Sequence, residues 1–157
     1  MGEVSGDWDN TGTRPAHGPV RKPAVKLPEL VTSSKGEMTV PVSIAGAADK
    51  GIISYEFDLR YDPSVIRPAA DAVDLAGTVS RGLSMAVNAS EPGLLKVAVY
   101  GAFALDKDGV LLNLRFVSVG DPGSTSTLRF ERILLNDGDP EALVTEGRIE
   151  LSAAAAN

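Results

Sequence analysis

Apolar and polar residues alternate along most of the chain beyond Val25, and turn residues interrupt the alternation at short intervals. Residues 38–44 alternate, and residues 53–61 do so without fault over nine positions. Successive side chains of a strand point to opposite sides. Ile53, Tyr55, Phe57, Leu59 and Tyr61 therefore share one face, and Ser54, Glu56, Asp58 and Arg60 the other. Asp62-Pro63 ends that strand, because proline has no amide to donate. Residues 83–88 and 95–100 flank Ser90-Glu-Pro-Gly93, a hairpin signal. Residues 128–133 and 148–151 alternate again, and 110–119 read as a strand with both faces buried. Residues 26–32 and 65–69 complete the set. Helical periodicity is lacking: 140–144 is too short, and 70–76 has room for one turn. Many short strands with closely spaced turns predict an all-β fold, a β-sandwich.

At 157 residues the chain fits one domain. Residues 1–24 are rich in Gly, Pro, Thr and Asp and read as an extended arm or linker; residues 153–157 read as a second linker. Between them lies a sandwich domain over 25–152. A folded unit between two linkers suggests a module of a longer chain. Only 5% of residues are aromatic against 43% hydrophobic, so the core is aliphatic, as strands prefer. The net charge is −6, and the one basic cluster, residues 14–26, is broken by three prolines. Nucleic acid is thereby excluded as a partner. No apolar run nears the roughly 20 residues of a membrane span, so no insertion is expected. Residues 2–10 are polar and acidic, unlike a secretory leader. The absence of cysteine removes thiol catalysis, Cys-based zinc sites and disulfides.

Candidate chemistry is sparse. The one histidine, His17, sits in the Pro/Gly-rich arm, a poor anchor for a catalytic triad. Asp7, Asp9, Thr11 and Gly12 echo the start of a calcium loop, but position twelve counted from Asp7 is Gly18 rather than Glu. Within the domain, Asp137, Asp139 and Glu141 form the densest oxygen cluster and are the candidate calcium ligands. The same residues suit an acidic turn, which is the favoured reading, so no cofactor is expected. Glu56 and Asp58 lie side by side on a flat strand, whereas glycosidases need facing carboxylates in a cleft. No glycine-rich phosphate loop is present. The chain is expected not to be an enzyme.

Four stretches carry a family resemblance. They are Gly-Glu-Met-Thr-Val-Pro-Val at 36–42, Lys-Gly-Ile-Ile-Ser-Tyr-Glu-Phe-Asp-Leu-Arg-Tyr-Asp-Pro-Ser-Val-Ile at 50–66, Asp-Gly-Val-Leu-Leu-Asn-Leu-Arg-Phe at 108–116, and Val-Thr-Glu-Gly-Arg-Ile at 144–149. In order and spacing they resemble the cohesin domain, the receptor module of cellulosome scaffolds and related surface proteins. The resemblance implies a sandwich of about nine strands with jelly-roll-like topology, outside the cell or on its surface. It also implies a flat face, made by the third, fifth, sixth and eighth strands, that grips a dockerin, a small calcium-loaded helical module. Carried onto this sequence, the third strand offers Ser54, Glu56, Asp58 and Arg60. The fifth and sixth offer Ser84, Ala86, Asn88, Lys96, Ala98 and Tyr100, and the eighth Arg129 and Glu131. Ser54 and Glu56 stand where the family often has Asn and Asp.

The expected function is non-catalytic protein binding, with a dockerin-like partner held on that face. An alternative is a structural subunit of an extracellular assembly, whose partner is a copy of itself. There the N-terminal arm, with Val20, Val25, Leu27 and Leu30 among prolines, would add as a strand to a neighbour's open edge. A weaker alternative is a carbohydrate-binding module. Sugar platforms need exposed aromatic rings, and only Trp8 and Tyr100 are candidates.

Overall fold

A computed structural model describes residues 22–33, 36–48, 50–138 and 140–152. The expected arm up to residue 21, with Trp8, His17, Asp7 and Asp9, lies outside the described residues. So do Asp139 and the expected linker at 153–157.

Among the described residues, eleven strands build two sheets. They are β1 (Ala24–Lys26), β2 (Glu29–Ser33), β3 (Glu37–Ala45), β4 (Ser54–Arg60), β5 (Ile66–Asp74), β6 (Ser84–Asn88), β7 (Leu94–Tyr100), β8 (Gly109–Ser118), β9 (Thr125–Leu135), β10 (Leu143–Thr145) and β11 (Gly147–Ser152). One sheet has the order β10-β1-β3-β8-β5, the other β2-β11-β9-β4-β7-β6. The expected all-β sandwich is the observed fold. The count exceeds nine for two reasons. Residues 26–32 were expected as one strand, but the chain changes sheets across Leu27-Pro28 and forms β1 and β2 separately. The short β10 then pairs in parallel with β1.

The core lies between the sheets. Val40, Val42 and Ile44 of β3 and Leu112, Leu114 and Phe116 of β8 face Tyr55, Phe57 and Leu59 of β4 and Val97 and Val99 of β7. The scarce aromatics are used in edge-to-face pairs, Phe57 with Phe130 at 5.2 Å and Tyr61 with Phe116 at 5.4 Å between ring centres. The Tyr55 hydroxyl is buried and shares a hydrogen bond of 2.7 Å with the buried Ser80 hydroxyl, which satisfies both. Burial pushes the Tyr55 phenol well above its ordinary pKa.

Three local expectations are corrected. β8 is buried on one face only: a register shift opposite Val42/Ser43 lets Leu111 and Leu112 both turn inward, after which Asn113, Arg115 and Val117 are half-buried. Residues 70–76 form no helical turn. The end of β5 runs through them, and Asp71 and Asp74 both accept hydrogen bonds from the Arg115 guanidinium of β8, the latter at 2.7 Å. Ile53 precedes β4 and is 48% exposed, so the buried stripe begins at Tyr55.

Candidate functional site: the outer face of the six-stranded sheet

β4 is the spine of the larger sheet, with β9 on one side and β7 then β6 on the other. Its pairing sets the outward side chains in rows. Ser54 stands opposite Tyr100, and Tyr100 opposite Ser84. In the next row Glu56, Ala98 and Ala86 are neighbours, and in the third Asp58, Lys96 and Asn88. The face expected from the sequence on β4, β6 and β7 is therefore assembled on one surface. Tyr100 is half exposed at its end. The two alanines leave a shallow depression of about 320 Å³, with Glu56, Asp58, Lys96, Asn88 and Arg132 around it.

β9 joins the face in a way simple alternation misses. Leu59 pairs with Phe130 but Asp58 pairs with Arg132, so Glu131 is an extra residue, a β-bulge. The consequence is that Glu131 and Arg132, adjacent in sequence, both reach the outer surface. Arg60 Nε donates to Glu131 Oε1 at 2.9 Å, and Arg132 donates to Glu56 Oε1 at 2.8 Å. The bond to Glu131 raises the Arg60 pKa above its ordinary value. Arg129 and Glu131 are both exposed, as expected, and Arg129 stands opposite Arg60. Sequence reasoning missed Arg132, Leu134 and Glu91. Leu134 pairs with Glu56, and Glu91 lies 3.5 Å from the Arg60 guanidinium. A signal for the bulge exists: Leu128 and Phe130 keep one phase and Ile133 and Leu135 the other.

Each carboxylate of the central face has a cation. Besides the pairs above, Asp58 lies 3.9 Å from Lys96 Nζ. Such exposed pairs contribute little to stability, about 0–1 kcal/mol each. They do fix a pattern of alternating sign across an open surface around a small apolar floor. That arrangement suits docking a complementary surface, in which charge pattern sets register and partner choice.

The start of β4 is clasped by Asn136, the residue just before Asp137 in the acidic turn. Asn136 has a positive φ of 54°, where Asn is tolerated better than most residues. Its Oδ1 accepts from the amides of Ile53 at 2.9 Å and Ser54 at 3.3 Å, and its Nδ2 donates to the Gly51 carbonyl at 3.0 Å. In the same turn Asp137 is exposed, and Glu141 accepts from Lys22 Nζ at 2.9 Å. That bond lowers the Glu141 pKa. Among the described residues, no three acidic or histidine side chains gather as a metal site.

The chain matches the cohesin domain family over residues 24–149. No curated protein sequence matches it. Among solved structures it is similar to a non-cellulosomal cohesin from the archaeon Archaeoglobus fulgidus, at 20% identity and TM-score 0.69, covering 85% of this chain and 94% of that one. It is similar to the sixth cohesin of scaffoldin B from Acetivibrio cellulolyticus, solved with a Cel5 dockerin mutant, at 22% identity and TM-score 0.71, covering 84% and 100%. A type I cohesin–dockerin complex from Clostridium thermocellum matches at 23% identity and TM-score 0.70, covering 83% and 99%. These likenesses concern the fold.

Proposed function

The chain belongs to the cohesin domain family, and from that premise we propose that the outer face of β9, β4, β7 and β6 is a receptor for a helical, dockerin-type module. The observation that carries this is the depression over Ala86 and Ala98, flanked by the Arg132–Glu56 and Lys96–Asp58 pairs. Small side chains let a partner's backbone come close. The flanking charges, once covered, become strong determinants of which partner fits. Two of the similar structures were solved with dockerins bound, which supports the same partner class here. The role is binding without catalysis: Glu56 and Asp58, neighbouring carboxylates of the face, lie on an open sheet and are engaged by cations. A place outside the cell or on its surface accords with the cell-surface anchoring scaffoldin whose type III cohesin it also resembles.

The test is titration calorimetry of the chain against calcium-loaded dockerin modules, repeated with chelator. Binding is expected with calcium and not without. Reversing charge at all three of Glu56, Asp58 and Arg60 should abolish it. Undiminished binding by the triple variant rules out this face.

A further inference from the structure

A sheet edge is a row of unpaired backbone donors and acceptors, and proteins blunt it with charge, proline, bulges or brevity. Of the four edges formed by the described strands, three are treated in this way. β5 carries Pro68, a register break between Pro68 and Val73, and the acids Asp71 and Asp74. β2 follows Pro28 and opens with Glu29, and β10 has three residues. β6 has none of these devices. Its five residues, Ser-Met-Ala-Val-Asn, are uncharged, keep unbroken register with β7, and are all exposed. Met85 and Val87 point to the inner side of the sheet, in register with the buried Val99 and Val97, yet are 44% and 39% exposed.

We infer that β6 pairs with the β6 of a second copy of this chain, antiparallel, about a two-fold axis at Ala86. The sequence is self-complementary in that register. Ala86 meets Ala86, Met85 meets Val87, and Ser84 meets Asn88. The apolar pair falls on the inner side, where each covers the other's exposed surface, and the polar pair falls on the outer side. The charges flanking the strand agree. Arg81 lies three residues before β6 and Glu91 three after it. Antiparallel pairing brings the Arg81 end of one copy to the Glu91 end of the other, whereas parallel pairing sets like against like. The contact is isologous and closes at two copies.

A five-residue edge falls short of the area of a standard stable interface, so the dimer is weak, with Kd between about 10 µM and 1 mM. Its product is a continuous twelve-stranded sheet with two receptor faces side by side, which two linked partners could engage with avidity. The contact uses the edge of β6 rather than the outer face, so it stands or falls separately from the docking proposal.

Sedimentation equilibrium of the full chain, from about 5 µM to about 1 mM, tests it. A monomer–dimer equilibrium is expected. The double variant Met85→Lys/Val87→Lys sets lysine against lysine twice and should remain monomeric. Met85→Glu/Val87→Lys sets opposite charges against each other and should dimerise again. Thermal melts report whether each variant folds. Dilution of the unmodified chain, followed by amide NMR shifts, needs no variant and should move residues 84–88 first. A monomer at every concentration, a dimer that the double-lysine variant preserves, association beyond two, or dilution shifts centred elsewhere would each overturn the inference.

Discussion

β4 and β6 lie in the same sheet with only β7 between them, and both alternate in sequence. In β4 the inward Tyr55, Phe57 and Leu59 are at most 1% exposed. In β6 the inward Met85 and Val87 are about half as exposed as free side chains. Period two says which side of a sheet a residue takes. Whether that side is covered depends on the strand's place in the sheet, which is set by pairings far apart in sequence. β4 is flanked by strands on both sides; β6 ends the row.

Truncation should separate the two strands most sharply. Phe57→Ala removes a ring packed edge-to-face on Phe130 and is expected to cost about 3–5 kcal/mol in urea unfolding. Val87→Ala should cost under about 1 kcal/mol by the same measurement. Equal losses would mean the edge is packed as tightly as the centre.

The outer face offers the next largest effect. Arg132→Ala leaves Glu56 without its cation beneath a docked partner and should weaken docking by roughly 2 kcal/mol in calorimetry. Its effect on unfolding should stay within about 0.5 kcal/mol, because the pair is exposed in the free chain. A large stability loss with unchanged binding would reverse the roles assigned to the spine and its outer face.

A smaller effect is expected where β4 begins. Asn136→Ala removes the acceptor for the Ile53 and Ser54 amides and places a less suited residue at positive φ. The expected cost is about 1–2 kcal/mol, with faster hydrogen exchange at Ser54 than at Phe57. Uniform acceleration along β4 would show that the clasp supports the whole strand.

The smallest effect lies just past the other end of β4. Asp62 accepts from both the hydroxyl and the amide of Ser64, and these bonds, the hydroxyl first, lower its pKa. A carboxylate depressed on folding adds stability above its unfolded pKa and loses it as pH falls through the folded value. Ser64→Ala should therefore move the Asp62 titration upward in carbon-detected NMR. An unmoved titration would assign the depression to another group.

Much of the proposed receptor face is legible because β4 obeys its period without fault. Ser54, Glu56, Asp58 and Arg60 are placed by one strand alone; Ser84, Ala86, Asn88, Lys96, Ala98 and Tyr100 are implied by the family resemblance, and the pairing of β4, β7 and β6 sets them in rows beside β4. What was not legible has specific causes. The bulge at Glu131 shifts the phase of β9 in mid-strand, so the outward position of Arg132 cannot be read from alternation begun at Leu128. The sheet change at Leu27-Pro28 depends on β2 finding β11 at the far end of the chain, while β1 stays beside β3 in the other sheet. The end of β5 contains Ala70, Asp71 and Ala72, residues with little strand preference, and is held instead through Arg115. Asn136 stands beside Asp137 in sequence, and only the fold brings the Ile53 and Ser54 amides to it.

Both N-terminal strands lie parallel to C-terminal ones: β1 pairs with β10, and β2 with β11. At the second seam a Cβ on Gly147 would collide with the Pro28 carbonyl oxygen, so the two ends of the domain are pressed backbone to backbone. On the ribosome β1 soon meets its neighbour β3, but β2 emerges long before its one partner, β11, exists. At ordinary elongation rates the wait is on the order of ten seconds, during which β2 has no neighbour in its sheet. Birth order and pairing order are thus opposed at the termini, and the domain can close only when its last strand has left the tunnel.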